Sequence, residues 1–133
     1  MSVLAGLSGG LFGVLWSGLV STRWLAAENP SGWQAEDLPR LVAGALLRAV
    51  AGAALGFLFW LGWGLIAVLR APWPVVGMLF GLLCWAGAAL PALATLGLRI
   101  DLPRHSLRVH AIDWLVSCLA IGLLCAYAWY RMT

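Results

Sequence analysis

Apolar positions along the chain gather into four long runs, approximately Val3 to Val20, Leu41 to Leu69, Val75 to Leu98 and Val109 to Trp129. At about 1.5 Å of rise per helical residue, each run is long enough to cross about 30 Å of hydrocarbon. The runs lack the period-two alternation and turn spacing of a membrane barrel, so helices are the expected elements. The second run is longer than a span requires. Its first two turns, including Arg48, are expected in the interface or the adjacent loop. The pattern predicts an all-α polytopic membrane protein, a bundle of four transmembrane helices forming one membrane domain over residues 1–133.

The breaks between the runs differ in kind. Between the second and third, "RAPWP" stops one helix and opens the next with Pro72 and Pro74, predicting a helical hairpin. The first loop, "STRWLAAENPSGWQAEDLPR", is the only sizeable polar segment. In it Ser31 and Gln34 have capping-box spacing, Pro39 suits the first turn of the next helix, and Trp24 and Trp33 suit the headgroup region. The third loop, "RIDLPRHSLR", is short and basic. Loops one and three hold Arg23, Arg40, Arg48, Arg99, Arg104 and Arg108, whereas the other side holds Arg70 and Arg131. That bias predicts loops one and three in the cytoplasm and both termini outside, N-out and C-out. No Lys or Arg precedes the first apolar run, so it is expected to stay as a span and not to be cleaved as a signal peptide.

Composition narrows the class further. Charged residues make up 10% of the 133 residues and hydrophobic ones 63%, against about 25% charged in a soluble domain. A soluble protein this small has no way to bury that much apolar surface, which makes the lipid bilayer the first partner. The net charge of +3 comes from arginines scattered at segment borders. They read as topology signals and lipid-headgroup contacts, and nucleic acid is not an expected partner. Cys84, Cys118 and Cys125 all fall in apolar runs. Cys118 and Cys125 are seven residues apart on one helix, roughly 10 Å, too far for a disulfide.

Small residues recur at four-residue spacing in every run. Gly9, Gly13 and Ser17 form one stripe of the first, with Gly6 and Gly10 beside it. Gly52 and Gly56 follow in the second, Gly77 and Gly81 in the third, and Cys118, Gly122 and Ala126 in the fourth. Such stripes let helix backbones approach closely. They serve either packing within the bundle or docking on a second copy or a larger membrane complex. Pro91, inside the third run, removes a backbone donor and crowds the Gly87 carbonyl, predicting a kink.

On a helical fourth run Ser106, His110, Asp113 and Ser117 share one face, and Trp114 points elsewhere. A lipid-facing Asp costs about 2.5–3.5 kcal/mol on insertion scales, so this polar face is expected to turn inward. Arg48 and His110 are the candidate partners of Asp113, either as a clamp on helix packing or as a proton or cation site. His105 and His110 lie about 140° apart around a helix and do not converge on a metal. No metal site, cofactor or catalytic residue is expected. Among the deeper tryptophans, Trp63, Trp85 and Trp114 are candidates to line a pocket for a hydrophobic ligand, with plain packing as the alternative.

Trp85, Gly87 and Pro91 in the third run, with the Ile112–Asp113 pair opening the fourth, resemble a family of short four-span bacterial membrane proteins classed as a domain of unknown function. Trp16 and Trp24 agree with it. The resemblance covers about half the chain. It implies the bundle and a multi-pass place in the bacterial inner (cytoplasmic) membrane, and no activity. The expected function is that of a non-enzymatic scaffold or accessory subunit acting through its small-residue helix faces. The alternatives are an oligomeric small-solute, ion or proton-coupled transporter using the His110/Asp113 face, and a membrane binder of a lipid or hydrophobic ligand.

Overall fold

A computed structural model of the chain describes residues 2–21, 23, 38–66, 68, 70–100 and 103–132. The described residues are helical throughout their ordered elements, with no strand among them. We label four helices. Helix α1 covers Ser2–Trp16 and continues through a π-helical turn, Ser17–Ser21. Helix α2 is Leu38–Ile66. Helix α3 runs Trp73–Arg99, made of Trp73–Cys84, a π-helical turn at Trp85–Ala89, and Leu90–Arg99. Helix α4 is Arg104–Met132. Within them Val42–Gly62, Trp73–Arg99 and Arg104–Met132 are long and apolar enough to cross a membrane, and Leu4–Leu19 is a shorter apolar helix.

Several helix ends fall where sequence chemistry puts them. Pro39 occupies the first turn of α2. Pro72 precedes α3 in extended conformation, and its carbonyl accepts from the Val75 and Val76 N–H groups at 3.0 and 3.2 Å. Two expectations are corrected. Arg48 lies almost three turns inside α2, so of the two places expected for it the adjacent loop is ruled out. Helix α4 starts at Arg104, so Arg104 to Arg108 are its first turn and not part of a loop. Pro103 explains the early start: a residue with fixed φ suits helix entry, and its carbonyl accepts from Leu107 N–H at 3.3 Å. The Ser31–Gln34 capping box, Trp24 and Trp33 lie outside the described residues.

Pro91 does more than bend α3. The turn before it widens, with Leu90 N–H donating to the Trp85 carbonyl five residues back. Pro91 has no N–H for a four-residue bond to Gly87, and its ring crowds that carbonyl. A single π turn resolves both, and the α-helix restarts at Leu90.

Helix α1 lies in the seam between α2 and α4, and α3 packs along α4. The glycine stripes make these contacts. A Cβ placed on Gly6 would meet the Gly52 carbonyl and lie 3.0 Å from Gly56 Cα, while one on Gly10 would lie 2.6 Å from the Arg48 carbonyl oxygen. The second α1 stripe faces α4: a Cβ on Gly9 would lie 2.6 Å from Ile121, and one on Gly13 2.5 Å from Ser117 Oγ. Across the α3–α4 seam a Cβ on Gly77 would approach the Gly122 carbonyl oxygen to 2.9 Å, and one on Gly81 that of Cys118 to 2.7 Å. At the end holding the α2–α3 turn, Phe59, Val76, Ile121, Cys125 and Ala126 form an apolar core. There Phe59 and Phe80 meet edge-on, ring centroids 5.0 Å apart, and join α2 to α3. Beyond that point α2 follows α1 and α3 follows α4, so the two halves of the hairpin diverge.

The glycine contacts yield a paired prediction. Gly52→Ala forces two backbones apart and should cost about 1–3 kcal/mol. Gly44 has nothing within 4 Å of a Cβ, so Gly44→Ala should raise stability by up to about 1 kcal/mol, because alanine is the better helix former. Unfolding of both variants in mixed micelles measures the difference.

Candidate functional site

The polar centre of the bundle is built on Arg48. Its position on α2 faces the seam between α1 and α4, where Gly10 and Gly13 leave room for a long side chain. Nη2 of the guanidinium forms an ion pair with Asp113 Oδ2 and donates to Ser17 Oγ at 3.2 Å. Nη1 donates to the Gly13 carbonyl at 3.0 Å and to Ser117 Oγ at 3.3 Å. Ser117 Oγ in turn donates to the Asp113 carbonyl at 2.9 Å. The guanidinium carbon also sits 5.4 Å from the Trp114 ring centroid, a cation–π distance. One side chain thereby ties α2 to α1 and α4 at once.

Burial decides how that cluster behaves. Asp113 is 1% exposed, and the Arg48 side chain is 16% exposed. An arginine does not give up its proton in a protein, so the cluster is built around a fixed positive charge. A buried ion is tolerated only where partners replace its hydration, and here the serine hydroxyls and the Gly13 carbonyl supply that role. The π turn at Ser17–Ser21 matters for the same reason: it is the stretch of α1 whose Ser17 reaches Arg48.

Of the residues named from the sequence, Asp113, Arg48 and Ser117 are brought together. His110 is not: it is exposed on α4, one turn away, and makes no hydrogen bond to Asp113 among the described residues. Sharing a helical face with Asp113 does not suffice, because the neighbouring helices cover Val109 and Asp113 and leave His110 exposed between them. Trp114 points away from Asp113 around α4, and its ring nevertheless covers Arg48. Its position, 100° around the helix from Asp113, puts the ring over a guanidinium that arrives from the neighbouring helix. Ser17 and the Gly13 carbonyl went unanticipated as partners. The signal available was the Gly13–Ser17 step on the stripe facing α4, where the missing Cβ exposes the backbone carbonyl.

Trp85 forms a second tie. Its indole N–H donates to the Ala111 carbonyl at 2.9 Å, fastening the π turn of α3 to α4 two residues before Asp113. Gly9, Gly13, Gly52, Gly56, Gly77, Gly81 and Gly122 all lie in contacts within the chain. The Trp63 side chain lies outside the described residues. Cys118 and Cys125 are buried, Cys84 is half-buried, and none of the three is in a disulfide.

Where α2 and α3 diverge, an apolar cleft of about 540 Å³ opens beside this network. One wall is Ala51, Ala54 and Leu55 of α2. The facing wall is Ala88, Ala89, Ala92 and Leu96 of α3, and Trp114 and Cys118 of α4 form the floor. Trp114 is shared: it contacts Arg48 and lines the cleft. Alanines on both walls and the wide π turn create the space, since larger side chains there would fill it.

Comparison with known protein families, curated proteins and solved structures finds no match. The geometry is therefore the ground for a functional reading.

The Trp85 tie predicts that Trp85→Phe, which keeps the ring and loses the donor, lowers stability by about 0.5–1.5 kcal/mol. Unfolding in mixed micelles measures it, and Trp16→Phe, with no such bond among the described residues, serves as the comparison.

Proposed function

We propose that the protein is a non-enzymatic integral protein of the bacterial inner membrane that holds a hydrophobic, chain-like ligand such as a lipid in the α2–α3 cleft. In this reading all four helices span, with loops one and three in the cytoplasm. Helix α1, from Ser2 to Ser21 with its π turn, covers about 30 Å, the thickness of the hydrocarbon layer.

The carrying observation is the cleft itself. Its volume of about 540 Å³ falls in the range of about 300–1,000 Å³ found for ligand pockets. A helix about 10 Å across and about 18 Å long fills on the order of 1,400 Å³, so the cleft suits an extended chain better than a partner helix. Almost all of its lining is apolar, and the aromatic Trp114 floor is braced from behind by Arg48. Transport through the His110/Asp113 face draws no comparable support, because Arg48 and Ser117 already hold Asp113 and His110 stands apart.

A second reading, the scaffold or accessory subunit in a homo-oligomer or larger complex, is favoured by Gly44 and Gly87. Both are exposed, with nothing within 4 Å of a Cβ. A neighbouring helix has room to approach there.

Native mass spectrometry of gently solubilised protein separates the two. The ligand reading expects one lipid-sized adduct per chain, lost in Ala92→Phe while the melting temperature is kept. Bare monomer in the wild type contradicts it, and stable complexes with other polypeptides favour the accessory role.

A further inference from the structure

The cleft has a length, a direction and a charged end. Its α3 wall runs from Cys84 to Leu96, twelve residues or about 18 Å of helix. Half the hydrocarbon thickness is about 15 Å, so the cleft matches the depth of one leaflet. Its apolar walls stop at Leu96. Three residues on, Arg99 ends α3 on the face that carries Ala92 and Leu96, and it is exposed. Arg104 and Arg108, both exposed, open α4 at the same end. Among the described residues the one acid is Asp113, and Arg48 already holds it. Glu28, Glu36, Asp37 and Asp101 lie outside the described residues.

From this we infer that the occupant of the cleft is an anionic phospholipid, with one acyl chain between α2 and α3 and its phosphate on Arg99. The inference rests on the ligand reading above and adds the headgroup. An acyl chain entering from the bilayer buries methylenes against the alanine walls and the Trp114 ring, each buried CH₂ being favourable in water but nearly neutral against lipid. Chain burial alone therefore gives little preference over the surrounding bilayer. The charge at the rim does the selecting. Arg99 lies about 4.5 Å of helical rise beyond Leu96, which is where a phosphate sits when its chain fills the space below. Arginine presents two parallel N–H donors to such an oxyanion. With the arginine-rich loops in the cytoplasm, this end faces the leaflet in which anionic lipid attracts basic residues.

The test uses the full-length protein in neutral detergent, offered phosphatidylglycerol and phosphatidylcholine with identical acyl chains, with retention read by native mass spectrometry. The wild type should retain phosphatidylglycerol roughly fivefold more than phosphatidylcholine, the worth of one arginine at an anionic surface. Arg99→Gln should bring the two lipids level without lowering retention of phosphatidylcholine, and Arg99→Lys should keep most of the preference. Ala92→Phe should lower retention of both. Equal retention by the wild type, or an unchanged preference in Arg99→Gln, overturns the headgroup assignment. Unchanged retention of both lipids in Ala92→Phe overturns the cleft reading beneath it. Melting curves for each variant confirm that the bundle is intact, so a loss of binding is not a loss of fold.

Discussion

The bundle depends on one buried ion pair. Asp113 sits inside α4 among apolar neighbours, and Arg48 sits well inside α2, so each alone is an uncompensated charge in a low-dielectric setting. Removing one partner from such a pair typically costs about 3–5 kcal/mol. Each residue thus makes the other acceptable, and the condition is met only when α2 and α4 lie with α1 wedged between them. The two serines, the Gly13 carbonyl and the Trp114 ring complete the solvation of the guanidinium. Where helix surfaces are no more apolar than the surrounding lipid, such directional contacts and close backbone approach decide which faces meet.

Two kinds of contact divide the bundle lengthwise. Near the α2–α3 turn the faces are held by volume, with Phe59, Val76, Ile121 and Cys125 filling the interior. Toward the other end α1, α2 and α4 are held by charge, and α3 is held to α4 by the Trp85 hydrogen bond and by Gly97 against Leu107. Among the described residues no hydrogen bond or ion pair ties α3 to α2 at that end. The cleft is the consequence of this uneven attachment, and the π turn ahead of Pro91 widens it. Trp114 connects the two regions, because its ring is part of the charge network and also the cleft floor.

Much of the helical layout was legible in the sequence, because the runs of apolar residues and the prolines at 39, 72 and 74 act locally. The Arg48–Asp113 pairing was legible as one of two options, since both residues fall at similar depth once the helices are laid antiparallel. His110 shows the limit of that reasoning. A shared helical face places it beside Asp113 in sequence geometry, yet the surfaces that bury Val109 and Asp113 are made by other helices and leave His110 exposed. Trp114 shows the converse: its own helix directs it away from Asp113, and the partner helix brings Arg48 to it. Periodicity reports a residue's direction from its own axis and carries no record of what the next helix delivers. The cleft was legible only in part: Trp114 was a candidate to line a pocket and does so, whereas the position of the space follows from the divergence of α2 and α3.

The most direct measurement is a double-mutant cycle on Arg48 and Asp113, read by unfolding in mixed micelles. Arg48→Met and Asp113→Leu should each destabilise the bundle by about 3–5 kcal/mol, and the double variant by far less than their sum, because the strain of each single variant lies in the charge left behind. Single variants near wild-type stability, or a double variant whose loss equals the sum, would contradict the account.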